Sequence, residues 1–410
     1  MVAWQRWQFL SFGKDRIGIL PTATLSQPTD GHRMPGRRSR VHCELGPVLI
    51  NRTAVYKICK AMPGELSRRG FRVHCSALLA GVAQDARPHS PWEKQLFRLS
   101  RRWLDWAITR PRLFNTVRSL TGLGPRWRHR RGVSLYLDPL YTLFYGAPDS
   151  GVVMVYDITP VSMEGWHHPH VSWLYGRAFD QLARSRCHLV ATCQNTADQL
   201  RANWGIAPQR LTVLPLGLFS LPAAKEAMGA VAGEPYLLFV GSFEPRKNIA
   251  GLISAYAASG LHVARGIGLK IIGSLPPPGD PVLTLARSTP GVTVMGFVTD
   301  AELAAAYEHC LAFVYPSFCE GFGLPLLEAM HHGCICLSTN LGASPEIAEA
   351  AALYVDPYSP EDLTRGLREV AALSGEQRQR LAARARQRAL QFTWERFYDG
   401  LADVIRNHVV

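Results

Sequence analysis

The sequence predicts an α/β protein built from two doubly wound domains. Its 410 residues exceed the usual length of one domain, and a hydrophobic content of 47% is enough for two full cores. Short apolar segments of strand type alternate with segments of helix type along both halves of the chain. Such alternation forms parallel sheets that helices cover on both faces. A stretch rich in small residues, between residues 218 and 234, interrupts the alternation once and marks a domain boundary.

The first half begins with residues 1–40, whose Gly, Pro, Arg and Ser residues show no sustained period, so we expect a poorly ordered extension there. Residues 41–218 form the predicted N-terminal domain. Its predicted strands are RVHCELGPVLI, FRVHCSALLAG, GVVMVYDI, CHLVATC and LTVLPLGL, and its predicted helices are AVYKICKAMPGELSRRG and WLYGRAFDQLARS. Gly70 ends the first of these helices.

The second half begins with a predicted linker, residues 219–233, followed by a C-terminal domain over residues 234–390. Its predicted strands are YLLFVGS, LKIIGS, VTVMG, AFVYPS and CICLST, and its predicted helices are NIAGLISAYAASG, DAELAAAYEHC and LPLLEAMHHG. Residues 391–410 complete a long helical end, and we expect this last helix to pack back on the N-terminal domain.

Several features of the sequence bear on the cellular compartment in which the protein is expected. The sequence contains no apolar run of 18 residues, so no membrane span is predicted. The start, MVAWQRWQFLSF, lacks an apolar core followed by a small-residue cleavage site, which argues against secretion. The nine cysteines include no Cys-x-x-Cys pair, and we expect reduced thiols rather than disulfides or a zinc site. These features favour a cytoplasmic protein.

The formal net charge of +13 suggests an acidic partner. The excess is concentrated between Trp92 and Arg131, where only Glu93 and Asp105 oppose the basic residues Lys94, Arg98, Arg101, Arg102, Arg110, Arg112, Arg118, Arg126, Arg128, Arg130 and Arg131. One predicted helical face in this stretch carries Leu96, Leu99, Trp103 and Trp106. Arginine and tryptophan together are typical of a helix on an anionic membrane surface. A solvated helix covering the domain core is the alternative, and the sequence contains no motif that supports nucleic-acid binding.

Two carboxylates flank a Gly-Phe-Gly turn in FCEGFGLPLLEAM, where a predicted strand leads into a helix. Glu320 and Glu328 allow three interpretations: a glycosidase-like acid/base pair, a pair of acceptors for sugar and ribose hydroxyls, or solvated acids at a capped helix. Ligands collect at the carboxyl ends of parallel strands, where helix N-termini bind anions. Because FVGSFEPRKN ends at the same edge, Arg246 and Lys247 would add positive charge there, as expected for a nucleotide diphosphate pocket.

The C-terminal motifs resemble a known family, the retaining glycosyltransferases of the GT-B fold and specifically family 4, glycosyl transferases group 1, which includes bacterial mannosyltransferases. The segments that carry the resemblance are VGSFEPRKNIAGLISAY, GFVTDAELAAAYEHC, YPSFCEGFGLPLLEAMHHG, SPEIAEAAALYVDP and FTWERF, and the resemblance covers most of residues 150–400. It implies two Rossmann-like domains facing each other across a cleft, an N-terminal one for the acceptor and a C-terminal one for the nucleotide sugar.

The resemblance also implies site residues. Glu320, Arg246 and Lys247 are the implied catalytic group: Glu320 holds hydroxyls of the donor hexose and the two cations neutralise the diphosphate. Glu328 is implied to hold the ribose hydroxyls. The remaining implied donor-binding residues follow Glu320 at the helix start and are Gly321, Phe322, Gly323 and Leu324.

The chain departs from the family pattern at three places. Ser242 stands where many members have Arg, the loop GPVLINRTAVY has a single glycine, and Tyr156 stands where many have His before Asp157. The acceptor-side candidates are Arg52, Asp157 and His170, with a helix-capping Asp and a surface His as the rival interpretations.

The implied reaction moves a hexose, mannose-like by resemblance, from a nucleotide diphosphate sugar to a lipid-diphosphate-linked or growing glycan acceptor in bacterial polysaccharide synthesis, with retention. We expect no cofactor and no metal, since the sequence contains no Asp-x-Asp pair and cations can stabilise the leaving diphosphate. We expect the enzyme on the inner face of the cytoplasmic membrane, without a nucleic-acid partner. The alternatives are a hydrolase or epimerase of this fold, or a basic binding module with a decayed site.

Overall fold

The computed structural model describes residues 39–49, 54–78, 80–82, 90–121, 132–163, 165–219, 221 and 234–408. The segments 1–38, 122–131 and 222–233, which contain most of the expected extension, part of the basic stretch and most of the expected linker, lie outside this description, as does the candidate Arg52. The described chain forms two α/β domains, each with its own sheet, and the prediction of two doubly wound domains is confirmed.

The N-terminal sheet has seven strands in the described residues, in the order β3-β2-β1-β4-β5-β6-β7. They are β1 (Arg40–Glu44), β2 (Arg72–Ala77), β3 (Ala80–Val82), β4 (Val133–Tyr136), β5 (Gly151–Val155), β6 (His188–Ala191) and β7 (Leu211–Val213). The helices of this domain are α1 (Ala54–Arg68), α2 (Pro91–Thr109), α3 (Pro111–Thr121), α4 (Thr142–Tyr145), α5 (Thr159–Ser162), α6 (Pro169–Ala183) and α7 (Gln194–Trp204). All pairings are parallel except that of the edge strand β3 with β2.

Two strand predictions in this domain are incomplete. The segment FRVHCSALLAG, predicted as one strand, forms two, because the chain turns at Leu78 (φ 53°) and β3 returns antiparallel to β2. Strand β4 was not predicted, although it lies at the centre of the sheet between β1 and β5. Its four residues are all buried, and so short an apolar run is hard to distinguish from a loop by periodicity alone.

The C-terminal sheet has six parallel strands in the described residues, in the order β10-β9-β8-β11-β12-β13. They are β8 (Tyr236–Val240), β9 (Gly268–Ile272), β10 (Val292–Gly296), β11 (Ala312–Tyr315), β12 (Cys336–Thr339) and β13 (Ala352–Val355). The helices are α8 (Ile249–Ser259), α9 (Leu261–Arg265), α10 (Pro281–Ser288), α11 (Asp300–His309), α12 (Leu324–His331), α13 (Ser344–Ala348), α14 (Pro360–Ala372), α15 (Gly375–Ala389) and α16 (Trp394–Asn407). Strands β8 and β11 are neighbours at the centre, so the loops that follow them meet at one edge.

Helix α16 crosses from the C-terminal domain to the N-terminal one. The Arg69 guanidinium at the end of α1 forms ion pairs with Glu395 at 2.9 Å and Asp399 at 2.8 Å. The Tyr398 ring lies 5.4 Å from the same guanidinium. An apolar and charged contact of this kind ties the end of the chain to the first helix of the other domain.

The described part of the basic stretch folds as α2 and α3, and two of its tryptophans, Trp103 and Trp106, pack against the domain core. The Trp103 ring lies 5.7 Å from that of Phe114 and 4.9 Å from that of Phe144, and the Trp106 ring lies 6.4 Å from Phe114. Leu96 also packs on the core. The expectation that Trp103, Trp106 and Leu96 form a membrane-facing surface is therefore wrong, because these half-buried side chains pack on the domain core, which already removes apolar area from water.

Two expectations from composition concern cysteines and membrane spans. All nine cysteines are free thiols in the structure. None of the helices in the described ranges combines the length and apolar composition that a bilayer crossing requires.

Candidate active site

The candidate site lies at the carboxyl ends of β8 and β11. After β8 the chain forms a 3₁₀ turn, Pro245–Lys247, and after β11 it forms the loop that carries Glu320 before α12 begins. Since the two strands are adjacent and parallel, their following loops are brought side by side. The Phe318 N–H donates to the Arg246 carbonyl at 2.8 Å, which fixes one loop on the other.

Glu320 is at the centre of this contact and is only 5% exposed. Its Oε1 accepts a hydrogen bond from Lys247 Nζ at 2.6 Å, and its Oε2 accepts one from Arg246 Nη1 at 2.9 Å. Burial alone would raise the pKa of this carboxyl, but the charges of Lys247 and Arg246 outweigh it and hold the pKa at about 2. Glu320 is therefore ionised at neutral pH.

Both cations have a second partner. Lys247 Nζ also donates to Tyr315 Oη at 2.6 Å, and Arg246 Nε donates to Glu244 Oε2 at 2.8 Å. Glu244 in turn accepts a hydrogen bond from the Ser242 hydroxyl. Within the described residues, Arg246 Nη2 makes no hydrogen bond, so this nitrogen retains donors for a bound oxygen.

Glu328 lies in the second turn of α12 in a different electrostatic environment. Burial raises the pKa of its carboxyl to about 7, against the opposing effects of a hydrogen bond from Tyr307 and the positive charge of Lys57. The Tyr307 hydroxyl donates to Oε2 at 3.2 Å. Glu328 is therefore close to half ionised at neutral pH, and one of its charged neighbours, Lys57 on α1, belongs to the other domain.

The turn between the two glutamates brings the domains together. A Cβ atom on Gly321 would lie 2.5 Å from Asp157 Cβ, so only glycine allows this approach. The Gly321 carbonyl accepts a hydrogen bond from the Cys193 thiol at 3.1 Å. Gly323 (φ 89°) precedes α12 in the left-handed conformation that favours glycine.

The next two candidate positions differ in what they offer a ligand. Phe322 is 5% exposed, and its ring packs edge-on against Phe392 at 5.9 Å. Its side chain therefore belongs to the core, and only its backbone is available at the helix start. Leu324 is the first residue of α12 and is half-buried.

The acceptor-side candidates occupy different places. Asp157 follows β5 and faces Gly321, and its Oδ1 accepts hydrogen bonds from the Thr159 N–H at 2.9 Å and hydroxyl at 2.6 Å. It thus combines the local turn-forming role with a position on the cleft. His170 lies in the first turn of α6, where its ring packs edge-on against His168 at 4.7 Å. No described contact links the His170 side chain to Glu320.

Several residues at this site were not singled out from the sequence. Tyr315 accepts a hydrogen bond from Lys247 and Glu244 accepts one from Arg246, while the charge of Lys57 on α1 acts on Glu328. His167 is near enough to Asp157 and Arg246 for both charges to act on its imidazole. The histidine-rich run WHHPH was a usable signal for His167, whereas nothing local distinguishes Lys57 from other exposed lysines.

A carboxylate of the C-terminal domain also binds a helix of the N-terminal one. The Glu346 carboxylate accepts hydrogen bonds from the Gln194 N–H at 2.7 and 2.8 Å, at the first residue of α7. It also accepts one from the Asn195 N–H at 3.3 Å. A carboxylate at a helix N-terminus is stabilised by the unpaired N–H groups and the helix dipole, so this contact holds the domains together.

Comparison with known proteins finds a family match in the C-terminal domain. Residues 222–388 match the family model described as glycosyl transferases group 1. O-antigen chain mannosyltransferase B of Escherichia coli is 34% identical over 169 residues, 40% of this chain and 44% of that protein. MMP alpha-(1->4)-mannosyltransferase of Mycolicibacterium hassiacum is 29% identical over 240 residues, 56% of this chain and 57% of that protein. The chain thus spans about half the length of these curated relatives.

Similarity to solved structures extends over both domains. Sucrose-phosphate synthase from Thermosynechococcus elongatus has a TM-score of 0.62 at 19% identity, with 90% of this chain and 99% of that chain covered. WaaG, a glycosyltransferase involved in lipopolysaccharide biosynthesis, has a TM-score of 0.60 at 18% identity, with 89% and 99% covered. At such low identity these likenesses establish the fold, which is GT-B.

Proposed function

We propose that this protein transfers a hexosyl group from a nucleotide diphosphate sugar to a glycan acceptor, since residues 222–388 match the family model of glycosyl transferases group 1 and the described chain has the GT-B fold. The observation that carries this proposal is the cluster of Glu320, Lys247 and Arg246 in the loops that follow β8 and β11, together with Glu328 on α12, whose pKa is raised to about 7. A mannose-like hexose is proposed because the curated relatives include mannosyltransferases.

The proposed reaction is a retaining transfer without a metal. Negative charge grows on the diphosphate as its bond to the sugar breaks, and fixed donors at that point stabilise the transition state. The proposed donors are Arg246 Nη2 and the N–H of Leu324, the first residue of α12, since Pro325 has no N–H and the next two N–H groups donate to the Gly323 carbonyl. The leaving phosphate takes the proton of the acceptor hydroxyl, so no protein base is required.

The pattern of charges favours transfer over hydrolysis by a pair of acids. In a retaining hydrolase one carboxylate attacks the sugar and the other donates a proton. Both oxygens of Glu320 already accept hydrogen bonds from buried cations, so attack by either oxygen would require an ion pair to break. In the proposed transferase, Glu320 positions the two cations and accepts hydrogen bonds from sugar hydroxyls through its remaining lone pairs. Both ion pairs of Glu320 then stay intact.

We further propose that the acceptor is lipid-linked and that the enzyme binds the anionic inner face of the cytoplasmic membrane through α2 and α3. Trp92 is 65% exposed, Leu99 44% and Leu113 50% on these helices. They lie among the exposed basic residues Lys94, Arg98, Arg101, Arg102, Arg110 and Arg112. Exposed apolar side chains among cations suit the boundary between lipid headgroups and acyl chains.

Incubation of the purified protein with a panel of nucleotide sugars and lipid-linked glycan acceptors tests this function. We expect a new glycosidic bond with the anomeric configuration of the donor and activity that persists in EDTA. Inversion at the anomeric carbon would contradict the retaining mechanism. Hydrolysis of finished glycosides without transfer would favour the hydrolase, and binding without turnover would favour a module with a decayed site.

A further inference from the structure

We propose that the imidazole of His167 binds a hydroxyl group of the sugar carried by the nucleotide donor, in the cleft between the two domains. The inference rests on the function proposed above and adds to it a residue that distinguishes the sugar from the nucleotide. His167 lies in the loop between α5 and α6, immediately before His168, whose side chain caps α6.

The neighbours of His167 place it against the loop that carries Glu320. The ring of Trp166 packs on that of Phe318 at 5.3 Å, two residues before Glu320. Asp157, at the end of the preceding strand, lies against Gly321, the residue after Glu320. The charged groups whose fields act on the imidazole are Asp157 from its own domain and Arg246 and Glu244 from the other.

The Nε2 atom of His167 is buried and has no hydrogen-bond partner among the described residues. Two other histidines find partners within the protein: Nε2 of the buried His188 is 2.8 Å from Thr212 Oγ1, and Nδ1 of the half-buried His168 accepts from the His170 N–H at 3.1 Å. A buried polar atom without a partner costs folding free energy, and such atoms occur where a ligand or a catalytic role requires them.

The charges around His167 favour a hydroxyl over a phosphate. Burial lowers the pKa of the imidazole, which is therefore neutral at neutral pH and carries one donor and one acceptor. The carboxylates of Asp157 and Glu244 oppose the approach of another anion. A sugar hydroxyl can donate to a carboxylate while it accepts from an imidazole N–H, so it satisfies both neighbours at once.

The test compares two ligands in each variant. From a panel of GDP-mannose, UDP-glucose, UDP-N-acetylglucosamine and dTDP-rhamnose, the tightest binder and its nucleoside diphosphate are titrated calorimetrically into wild type, His167→Asn and His167→Phe. We expect both variants to bind the nucleotide sugar roughly tenfold more weakly, with little change for the nucleoside diphosphate. Only the nucleotide sugar carries the hexose hydroxyl that His167 is proposed to bind.

A matched control is His262→Asn. Nδ1 of His262 is also buried without a partner, but this residue is on α9 and packs beside Gly291 at the edge strand β10, away from the cleft. The control should bind both ligands as wild type does, and thermal unfolding verifies that all variants fold. Equal weakening for both ligands, or no weakening for either, would overturn the assignment of His167. Failure of wild type to bind any nucleotide sugar would instead contradict the proposed function.

Discussion

The charged residues of the candidate site compensate one another before any ligand binds. Lys247 and Arg246 carry two positive charges, and Glu320 and Glu244 carry two negative charges in direct contact with them. The net charge of the cluster is therefore close to zero. A diphosphate would be attracted by hydrogen-bond donors of the cluster that have no partner in the protein, and not by the net charge of the cluster. Removing one member leaves a partly or fully buried charge with one counterion fewer, so substitutions here affect stability as well as binding.

Replacement of Lys247 by Met should lower both the free energy of unfolding and donor affinity. Lys247 is 5% exposed, and its loss deprives the buried Glu320 carboxylate of one of its two cations. We expect the free energy of unfolding to fall by about 3 to 5 kcal/mol, measured by chemical denaturation.

The double variant Lys247→Met, Glu320→Leu separates the two effects. It removes both charges, so most of the lost stability should return, because an apolar pair can replace a buried ion pair at little cost. Donor binding should stay impaired, since neither charged side chain is restored. A single variant as stable as wild type would contradict the structural role of the ion pair.

Donor affinity should depend on the ionisation of Glu328. Its pKa in the unliganded site is about 7, and ribose hydroxyls that donate to the carboxylate stabilise its ionised form. About one tenth of these carboxyls are ionised at pH 6 and about nine tenths at pH 8. Affinity for a nucleotide sugar should therefore rise about tenfold across this range in calorimetric titrations.

The variant Glu328→Gln is the control for this pH dependence, and its affinity should be nearly constant from pH 6 to pH 8. The raised pKa of Glu328 also predicts how the free energy of unfolding depends on pH. The stabilisation that comes from the protonated carboxyl is fully present below the unfolded-state pKa, near 4.5, and is lost as the pH rises through the folded-state pKa of about 7. Equal pH profiles in wild type and variant would show that Glu328 does not control donor binding.

At the scale of elements, α2 and α3 separate their apolar residues into two sets. Leu104, Ala107 and Phe114 are buried, and the Trp103 ring packs edge-on against that of Phe114, so these residues attach the helices to the domain. Trp92 and Leu99 remain exposed among arginines. The helices therefore present a mixed basic and apolar surface that no described element covers.

Removal of three arginines from this surface should weaken binding to anionic vesicles. For Arg98→Ala, Arg101→Ala, Arg102→Ala we expect a loss of about 1 kcal/mol per residue at low salt, in co-sedimentation with vesicles that contain anionic lipid. The attraction should decrease as salt is added, and Trp92→Ala should reduce the part of the binding that resists salt.

The matched control removes three exposed arginines from the C-terminal domain, Arg287, Arg380 and Arg384. It changes the net charge equally, so vesicle binding near that of wild type would localise the effect to α2. Equal loss in both triple variants would mean that the total charge of the protein attracts the lipid. Binding that depends on neither lipid charge nor salt would indicate that α2 and α3 form an ordinary solvated surface.

At the scale of the whole molecule, the two domains are held in contact around the cleft. Gly321 lies against Asp157, the Glu346 carboxylate caps α7, and α16 binds α1 through Arg69. Residues from both domains therefore reach the site, and the distance between the domains sets whether His167 and Lys57 act together with Arg246 and Glu328.

The substitution Gly321→Ala should hold the domains apart and lower the rate of transfer. The added Cβ would overlap Asp157 Cβ and the Tyr156 carbonyl, each at 2.5 Å, so one loop must move. We expect a loss of about tenfold or more in kcat and an increased radius of gyration in small-angle scattering, because misplacing a reacting group by about 1 Å can cost a hundredfold in rate.

Gly375→Ala provides the comparison, since no atom lies within 4 Å of the Cβ position at Gly375, the first residue of α15. Its rate and scattering should match those of wild type. An active and equally closed Gly321→Ala protein would show that this approach of the domains is not needed for transfer.

The sequence by itself determined the two α/β domains, most of their strands and helices, and the edge of the sheet where Glu320, Arg246 and Lys247 meet. These follow from local information: period, the glycines and prolines that end elements, and the rule that ligands collect at the carboxyl ends of parallel strands. The family resemblance was also carried by continuous segments. All of these signals lie within a few tens of residues, which is the range over which a pattern specifies structure.

Only the tertiary structure decided which groups face each other across the cleft and which side of a helix is buried. The short strand β4, the return of β3 beside β2, and the inward packing of Trp103 and Trp106 depend on neighbours distant in sequence. The same holds for the different pKa values of Glu320 and Glu328, which follow from buried cations in one case and burial with a distant Lys57 in the other. Burial and charge act through space, so no local pattern encodes them.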